Sequence, residues 1–325
     1  MASPPEKPVS KLVSLLKRYV KDLLRFRNKL GESDGLIAED FVCNFLEFGT
    51  WFDVPSLHVY VQDGPKRNAL IDYLFRTEEY EIRVEQSSAS VSGRPFILER
   101  PSFPDLCIII KATSGPPIIE IINSAMTTLD LCFMSWSKDY SLLPLLTVVN
   151  HKFYPLKPLD NELGEVLNRL SQYSWTSRDM LWPDLTEKFK PRKECHQVGG
   201  SSSLVIKLRG EFPSHCTPDY ILDGSVYAVV SDWDYDHTRR LSVHTNGANG
   251  HTCKAWEKYL EQWLERWIYV ELVKLGREDR PPGFYFTAPG DYRVSIPSAW
   301  KPTEGIAWDY ADDQVTTWFK EWDKY

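Results

Sequence analysis

At 325 residues, with 38 basic against 45 acidic side chains and a net charge of -7, the chain exceeds the size at which one core usually stops growing, which predicts two parts. The acidic balance excludes a general binder of the nucleic-acid phosphate backbone, and apolar runs such as DLCIII and SLLPLLTVV are too short to span a bilayer. The 12 Trp, 16 Tyr and 15 Phe are an aromatic excess that suits a core, a pocket or an interface.

From residue 10 to residue 31, Leu12, Leu15, Leu16, Tyr19, Val20, Leu23, Leu24 and Phe26 recur at helical spacing, which predicts one amphipathic helix closing at Gly31. Lys17, Arg18, Lys21, Arg25, Arg27 and Lys29 form its expected solvated face. A second helix is predicted in AEDFVCNFLEFG. The period then changes: SLHVYVQDG alternates as a strand, KRNALIDYLFRTEE reads as a helix, and YEIRVEQS, PFILERP and PDLCIIIKA read as strands. The run from Pro117 to Pro144 reads as mostly helical, LTVVNHKFYPLKP as strand-like, and DNELGEVLNRLSQYS as a helix capped by Asp160 or Asn161.

A polar stretch then separates residues 1–189 from residues 204–325, with 190–203 as the expected linker. The second part offers three short strands, SLVIKLRG, SVYAVVSD and RRLSVHTN. After them come the aromatic helix KAWEKYLEQWLERWIYVELVKLG and a terminal helix in ADDQVTTWFKEWDKY. The order is mixed α/β, and the predicted class is α+β. On the aromatic helix, Trp256, Leu260, Trp263, Trp267 and Val270 share one stripe, with Tyr259 beside it. Core packing is the expected role, and a wall of an apolar ligand cavity is the alternative.

Six cysteines (Cys43, Cys107, Cys132, Cys195, Cys216 and Cys253) include no CxxC pair, no N-x-S/T sequon occurs, and MASPPEKPVS has no apolar signal region. These features predict reduced thiols and a cytoplasmic location. No GxGxxG, GxxxxGK[ST] or GxSxG motif occurs.

The stretch VSDWDYDHT carries Asp232, Asp234 and Asp236 after an apolar run. A calcium loop starting at Asp232 needs Gly in its sixth place and an acid in its twelfth; His237 and Val243 stand there. A haloacid-dehalogenase pattern fails at Asp236, which replaces a Thr or Val. An acidic strand end is therefore expected, with Asp232 and Asp234 as an alternative magnesium pair. The Cys and His residues of the second part match no zinc spacing.

FGTWFDVPSLHVYVQDGPKRNALIDYLFRTEEYEI followed by PDLCIII resembles the core order of the nucleotidyltransferase superfamily, over roughly residues 36 to 160. The resemblance implies a nucleotidyltransferase-like first domain in which Gly49-Thr50 replaces the Gly-Ser loop. Ser56 and His58 then occupy the two metal-acid places, and Asp105 supplies the third carboxylate. Serine and histidine are poor magnesium ligands, so the resemblance implies a degraded metal site. MSWSKDYSLLPLLTVVNHKFYPLKPLD, with Trp136, Lys138, Tyr140, Pro144, Lys152, Tyr154 and Lys157, resembles a segment of uncharacterised filamentous-fungal proteins.

A cleft without its metal acids, in a chain rich in aromatics, suggests an enzyme that needs no cofactor. The expected partner is a mainly apolar small molecule, neither nucleic acid nor membrane, rearranged or cyclised in an aromatic-lined cleft as in fungal secondary metabolism. His58, Asp105 and Lys138 are the candidate catalytic residues; Trp51, Ser56, Trp136 and Tyr140 are the candidate substrate-binding ones. The alternatives are a magnesium-dependent nucleotidyltransferase and a non-catalytic interaction module, for which Trp318, Phe319 and Trp322 are the expected contact.

Overall fold

The computed structural model describes residues 12, 14–46, 54–83, 95–149, 151–157, 160–173, 175–177, 194–208, 219–233, 239–245, 254–285, 296–297, 300–301 and 308–322. The alternating run SLHVYVQ forms strand β2 (Ser56–Gln62). Leu57, Val59 and Val61 are fully buried on one face, and Ser56, His58 and Tyr60 occupy the other. It pairs with β1 (Leu36–Ala38), antiparallel, and with β5 (Phe103–Thr113), parallel. The sheet continues through β4 (Phe96–Arg100) to β3 (Glu81–Ile82) on one side. On the other side lie β6 (Cys132–Met134), β7 (Lys138–Ser141) and β11 (Leu204–Lys207), giving the order β11-β7-β6-β1-β2-β5-β4-β3. Two short strands, β8 (Lys152–Phe153) and β9 (Thr176–Ser177), pair apart from it. Helices and this mixed sheet make the protein α+β.

The predicted helix over 10–31 is broken. Helical residues 12 and 14–16 end in a turn, and α1 (Leu23–Glu32) restarts after Asp22, whose carboxylate accepts from the Arg25 amide at 3.0 Å. Periodicity continues through the break because both pieces bury apolar residues against one core. The freed backbone groups find buried partners. Arg100 (2.6 Å) and the Tyr80 hydroxyl (2.7 Å) donate to the Tyr19 carbonyl, and the Lys21 amide donates to Glu78 (2.6 Å). Arg27 leaves the expected solvated face. It is buried, donates through Nε to the Trp136 carbonyl at 2.8 Å, and is held down to about 10 by burial.

Helix α2 (Asp40–Leu46) and helix α3 (Pro65–Arg76) cover the Leu57/Val59/Val61 face. Helix α4 (Pro117–Ser124) covers the opposite face, where Leu36, Tyr60, Phe133 and Tyr140 lie. Helix α5 (Asn161–Gln172) begins at Asp160, whose side chain accepts from the Leu163 amide. The helix expected over 117–144 therefore stops at Ser124, and a hairpin of β6 and β7 follows. CFM and KDYS are too short for a period, and their pairing is decided by the neighbouring strands.

The stretch 190–203, expected as a linker, contains β10 (Glu194–Gln197), which pairs with β12 (Val226–Trp233). β12 in turn pairs with β13 (Arg239–Thr245). β11 enters the large sheet beside β7, and Tyr227, Val229, Leu241 and Val243 pack in one cluster with Leu36, Tyr60 and α4. The two halves of the chain thus share a sheet and a core. Helix α6 (Tyr220–Gly224) precedes β12; α7 (Lys254–Lys274) and α8 (Val315–Trp322) follow.

The aromatic stripe of α7 packs on α8. Trp256 meets Phe319 edge-on at 4.9 Å and Trp263 stacks on Trp318 at 5.7 Å, beside Cys195 and Ala228. Trp318 and Phe319, expected as an exposed contact in the interaction-module alternative, are buried. Cys195 is disulfide-bonded, which corrects the expectation that all six thiols are reduced; Cys43, Cys107 and Cys132 are free. Sequence spacing gave no sign of that bond. Among the described residues no helix is long and apolar enough to cross a membrane.

Asp139 on β7 is fully buried, and neither carboxylate oxygen makes a well-formed hydrogen bond among the described residues. Burial raises its pKa well above the ordinary value, only partly offset by the Tyr140 amide. Below about pH 4 the acid is protonated whether folded or unfolded. Above that pH the unfolded chain alone releases the proton, so this group lowers stability as pH rises, at up to about 1.4 kcal/mol per pH unit. Asp139→Asn is expected to remove that decline, and denaturant melts between pH 4 and pH 7 check it. A constant offset between variant and parent would contradict the assignment.

Candidate functional site

The register places Ser56, His58, Asp105, Lys138 and Tyr140 on one face of the large sheet, because every Cα pairing from β5 through β2, β1, β6 and β7 keeps the side-chain alternation in step. They do not converge. His58 opposes Ile109, four residues from Asp105, so those two lie about 13 Å apart along the strand. Tyr140 is three strands from His58, about 14 Å across the sheet. The sequence candidates fall into two groups, and Asp105 belongs to neither: it is exposed at the start of β5.

The first group is polar. His58 Nε2 lies 2.9 Å from Ser56 Oγ, and its Nδ1 lies 3.0 Å from Glu39 Oε2. The second contact is a close approach off the line of a ring N–H, so it is an ion-pair geometry more than an aligned hydrogen bond. Glu39 joins β1 to α2 at φ 67, in the left-handed region that a non-glycine side chain rarely adopts. Tyr60 (2.7 Å) and Lys111 (2.5 Å) both donate to its Oε1. Burial opposes ionisation of Glu39, but the close approach of His58 and the charge and hydrogen bond of Lys111 outweigh it and hold the carboxyl down to about 2. Glu39, Tyr60 and Lys111 line a cleft of about 440 Å³ between α4 and α5, with Asp130, Glu162 and Arg169 among its walls.

The second group borders an apolar cleft of about 370 Å³ on the other side of α4. Pro116, Pro117, Ile118, Ile119 and Ile122 form one wall; Leu36, Trp136, Ile221, Leu222 and Val226 are among the other lining residues. Ser135 and Asp219 are polar groups within it. Ser135 donates to Asp219 Oδ2 at 2.7 Å, and Ser137 donates to the same oxygen. Burial raises the Asp219 carboxyl above its ordinary value, and these two hydroxyls only partly lower it. Lys138 and Tyr140 bond Asp223, one turn further along, with Tyr140 at 2.9 Å. Gly199 makes this approach possible: a Cβ there would stand 2.7 Å from the Asp223 Cβ, and its amide donates to the Asp223 carbonyl.

Trp136 therefore lines a cleft, as expected, whereas Lys138 and Tyr140 support its acidic end through Asp223. The walls are aliphatic, and Trp136 is their aromatic member among the described residues. Trp51, Gly49-Thr50 and Asp234 lie outside the described residues. Asp232 is the penultimate residue of β12, opposite Arg240, which places it in a strand pair. Among the described residues no group of three His, Cys, Asp or Glu side chains is arranged to hold a metal ion. Glu39, Lys111, Asp219 and Asp223 escaped the sequence reading because each acts through a residue distant in the chain; the alternation of Tyr60 with His58 was the one local signal. No protein-family model matches this chain, and neither a curated protein nor a solved structure matches it.

Proposed function

We infer that the protein binds a mainly apolar small molecule in the cleft between α4 and α6 and rearranges or cyclises it without a cofactor, with Asp219 as the proton donor. The observation that carries this reading is a carboxyl group with a raised pKa at the polar end of an aliphatic cleft. Both serine hydroxyls bond Oδ2, and among the described residues none bonds Oδ1, which leaves that oxygen to carry the proton toward a bound double bond or carbonyl. Transfer leaves a carboxylate that the same two hydroxyls stabilise, and that carboxylate takes a proton back from the rearranged cation. The proton balance closes without an external acid. Trp136 supplies an indole wall, whose π-face favours a developing positive charge.

The test uses an apolar fluorescent probe and a panel of unsaturated hydrocarbons and their alcohols. Ile119 lines the cleft and is exposed, so Ile119→Trp fills it without overpacking the core. That variant is expected to lose probe binding, while Asp219→Asn retains binding and loses turnover by about 10²- to 10⁴-fold. Unchanged probe binding in Ile119→Trp would remove the cleft from the proposal.

A further inference from the structure

We propose that Ser56, His58 and Glu39 form a second, independent site in which Ser56 is an acyl-accepting nucleophile toward small esters. The geometry meets the requirement for an activated hydroxyl: the nucleophile lies within hydrogen-bond reach of an imidazole nitrogen, and the other nitrogen faces a carboxylate. Catalytic hydrogen bonds commonly tighten only when substrate is bound, so the off-line approach of Glu39 to Nδ1 is compatible with this role.

Three further observations support it. Glu39 is ionised at neutral pH and fixed by Tyr60 and Lys111, so it can orient the ring and balance the imidazolium charge. Its left-handed backbone is the kind of strain that accumulates at functional sites. Ser56 opens β2 and remains partly accessible, whereas the alternating residues Leu57, Val59 and Val61 are sealed in the core. Two strand residues at i and i+2 share a face, so SLH alone places hydroxyl and imidazole side by side.

In the reaction, His58 Nε2 takes the Ser56 hydroxyl proton as Oγ bonds to the ester carbonyl carbon. The carbon–oxygen bond to the alcohol then breaks, and the alcohol departs with the proton from His58. Water repeats the sequence on the acyl-serine: His58 takes its proton, the acid leaves, and Oγ regains the proton. Ser56 and His58 are catalytic residues; Glu39 is a positioning residue.

A fluorophosphonate probe followed by peptide mass spectrometry reads this site directly, with p-nitrophenyl acetate hydrolysis as the rate assay. Adduct at Ser56 is expected in the parent, none in Ser56→Ala, and at least 100-fold slower labelling in His58→Ala. Glu39→Gln is expected to slow labelling at least 10-fold and Glu39→Asp to recover part of it, which a purely structural loss would not do. Thermal melts identify any variant that fails to fold, and Ser56→Ala removes only a hydroxyl. An unlabelled Ser56 in the folded parent, or equal labelling in His58→Ala, overturns the proposal. Since Asp219 lies in the other cleft, Asp219→Asn leaves this labelling unchanged, so the two activities fail separately.

Discussion

Glu78→Gln is expected to destabilise the protein by about 3–5 kcal/mol, because it removes one partner from a buried ion pair and leaves the other uncompensated. Glu78 is fully buried and Arg100 almost so, with Arg100 Nη2 at 3.2 Å from Glu78 Oε2. The same carboxylate accepts from the Tyr73 hydroxyl (2.7 Å) and the Lys21 amide (2.6 Å). Arg100 also lies over the Tyr80 ring at 4.7 Å and donates to the carbonyls of Glu78 and Tyr19. The pair therefore satisfies the backbone groups released where the first helix breaks before α1. An apolar pair of similar volume restores charge balance, so Glu78→Met with Arg100→Met should lose less than the sum of the single changes. Urea melts of the three variants decide it. A loss below about 1 kcal/mol in Glu78→Gln would mean that the pair is not needed to hold the break.

That break illustrates what sequence patterning conveys here. Helical spacing correctly marks Leu12, Leu16, Tyr19, Val20 and Phe26 as core, whereas Leu24, on the same pattern, is exposed. It carries no information on backbone continuity, because two short helices burying the same side of one core keep the same period. Strand β2, strand β5, α3, α5, α7 and α8 are legible because each is long enough to show its period. β1, β6, β7 and β10 are three or four residues long, and they exist because longer neighbours offer a ladder to complete. The same limit applies to the sites. His58 and Ser56 were legible as a pair on one strand face, but Glu39 reaches them from another element at 3.0 Å. Lys138, Tyr140 and Trp136 were legible as a block, yet the acids that give them a chemical setting come from 83 to 85 residues further along. Arg27 shows the converse: a cation in a row of solvated cations is buried because two carbonyls, of Trp136 and Leu208, wait for it across the sheet edge.

Trp256→Ala is expected to cost about 3–5 kcal/mol, the range for truncating a large buried aromatic. Trp256 is almost fully buried and touches three rings: Phe319 at 4.9 Å, Trp322 at 5.6 Å and Tyr259 at 5.9 Å. Cys195 of β10 and Ala228 of β12 complete the cluster, so α7 and α8 are held to the sheet by this ring system. Were the stripe a ligand-pocket wall, truncation would open an existing cavity at small cost and would change ligand affinity more than stability. The packing predicts the opposite: a large fall in denaturant midpoint, little change in apolar-probe affinity, and a smaller loss in Trp256→Phe, which keeps an aromatic ring. Midpoint and probe affinity measured on the same samples separate these outcomes. A stability change below about 1 kcal/mol with weakened probe binding would return the aromatic helix to the role of a binding surface.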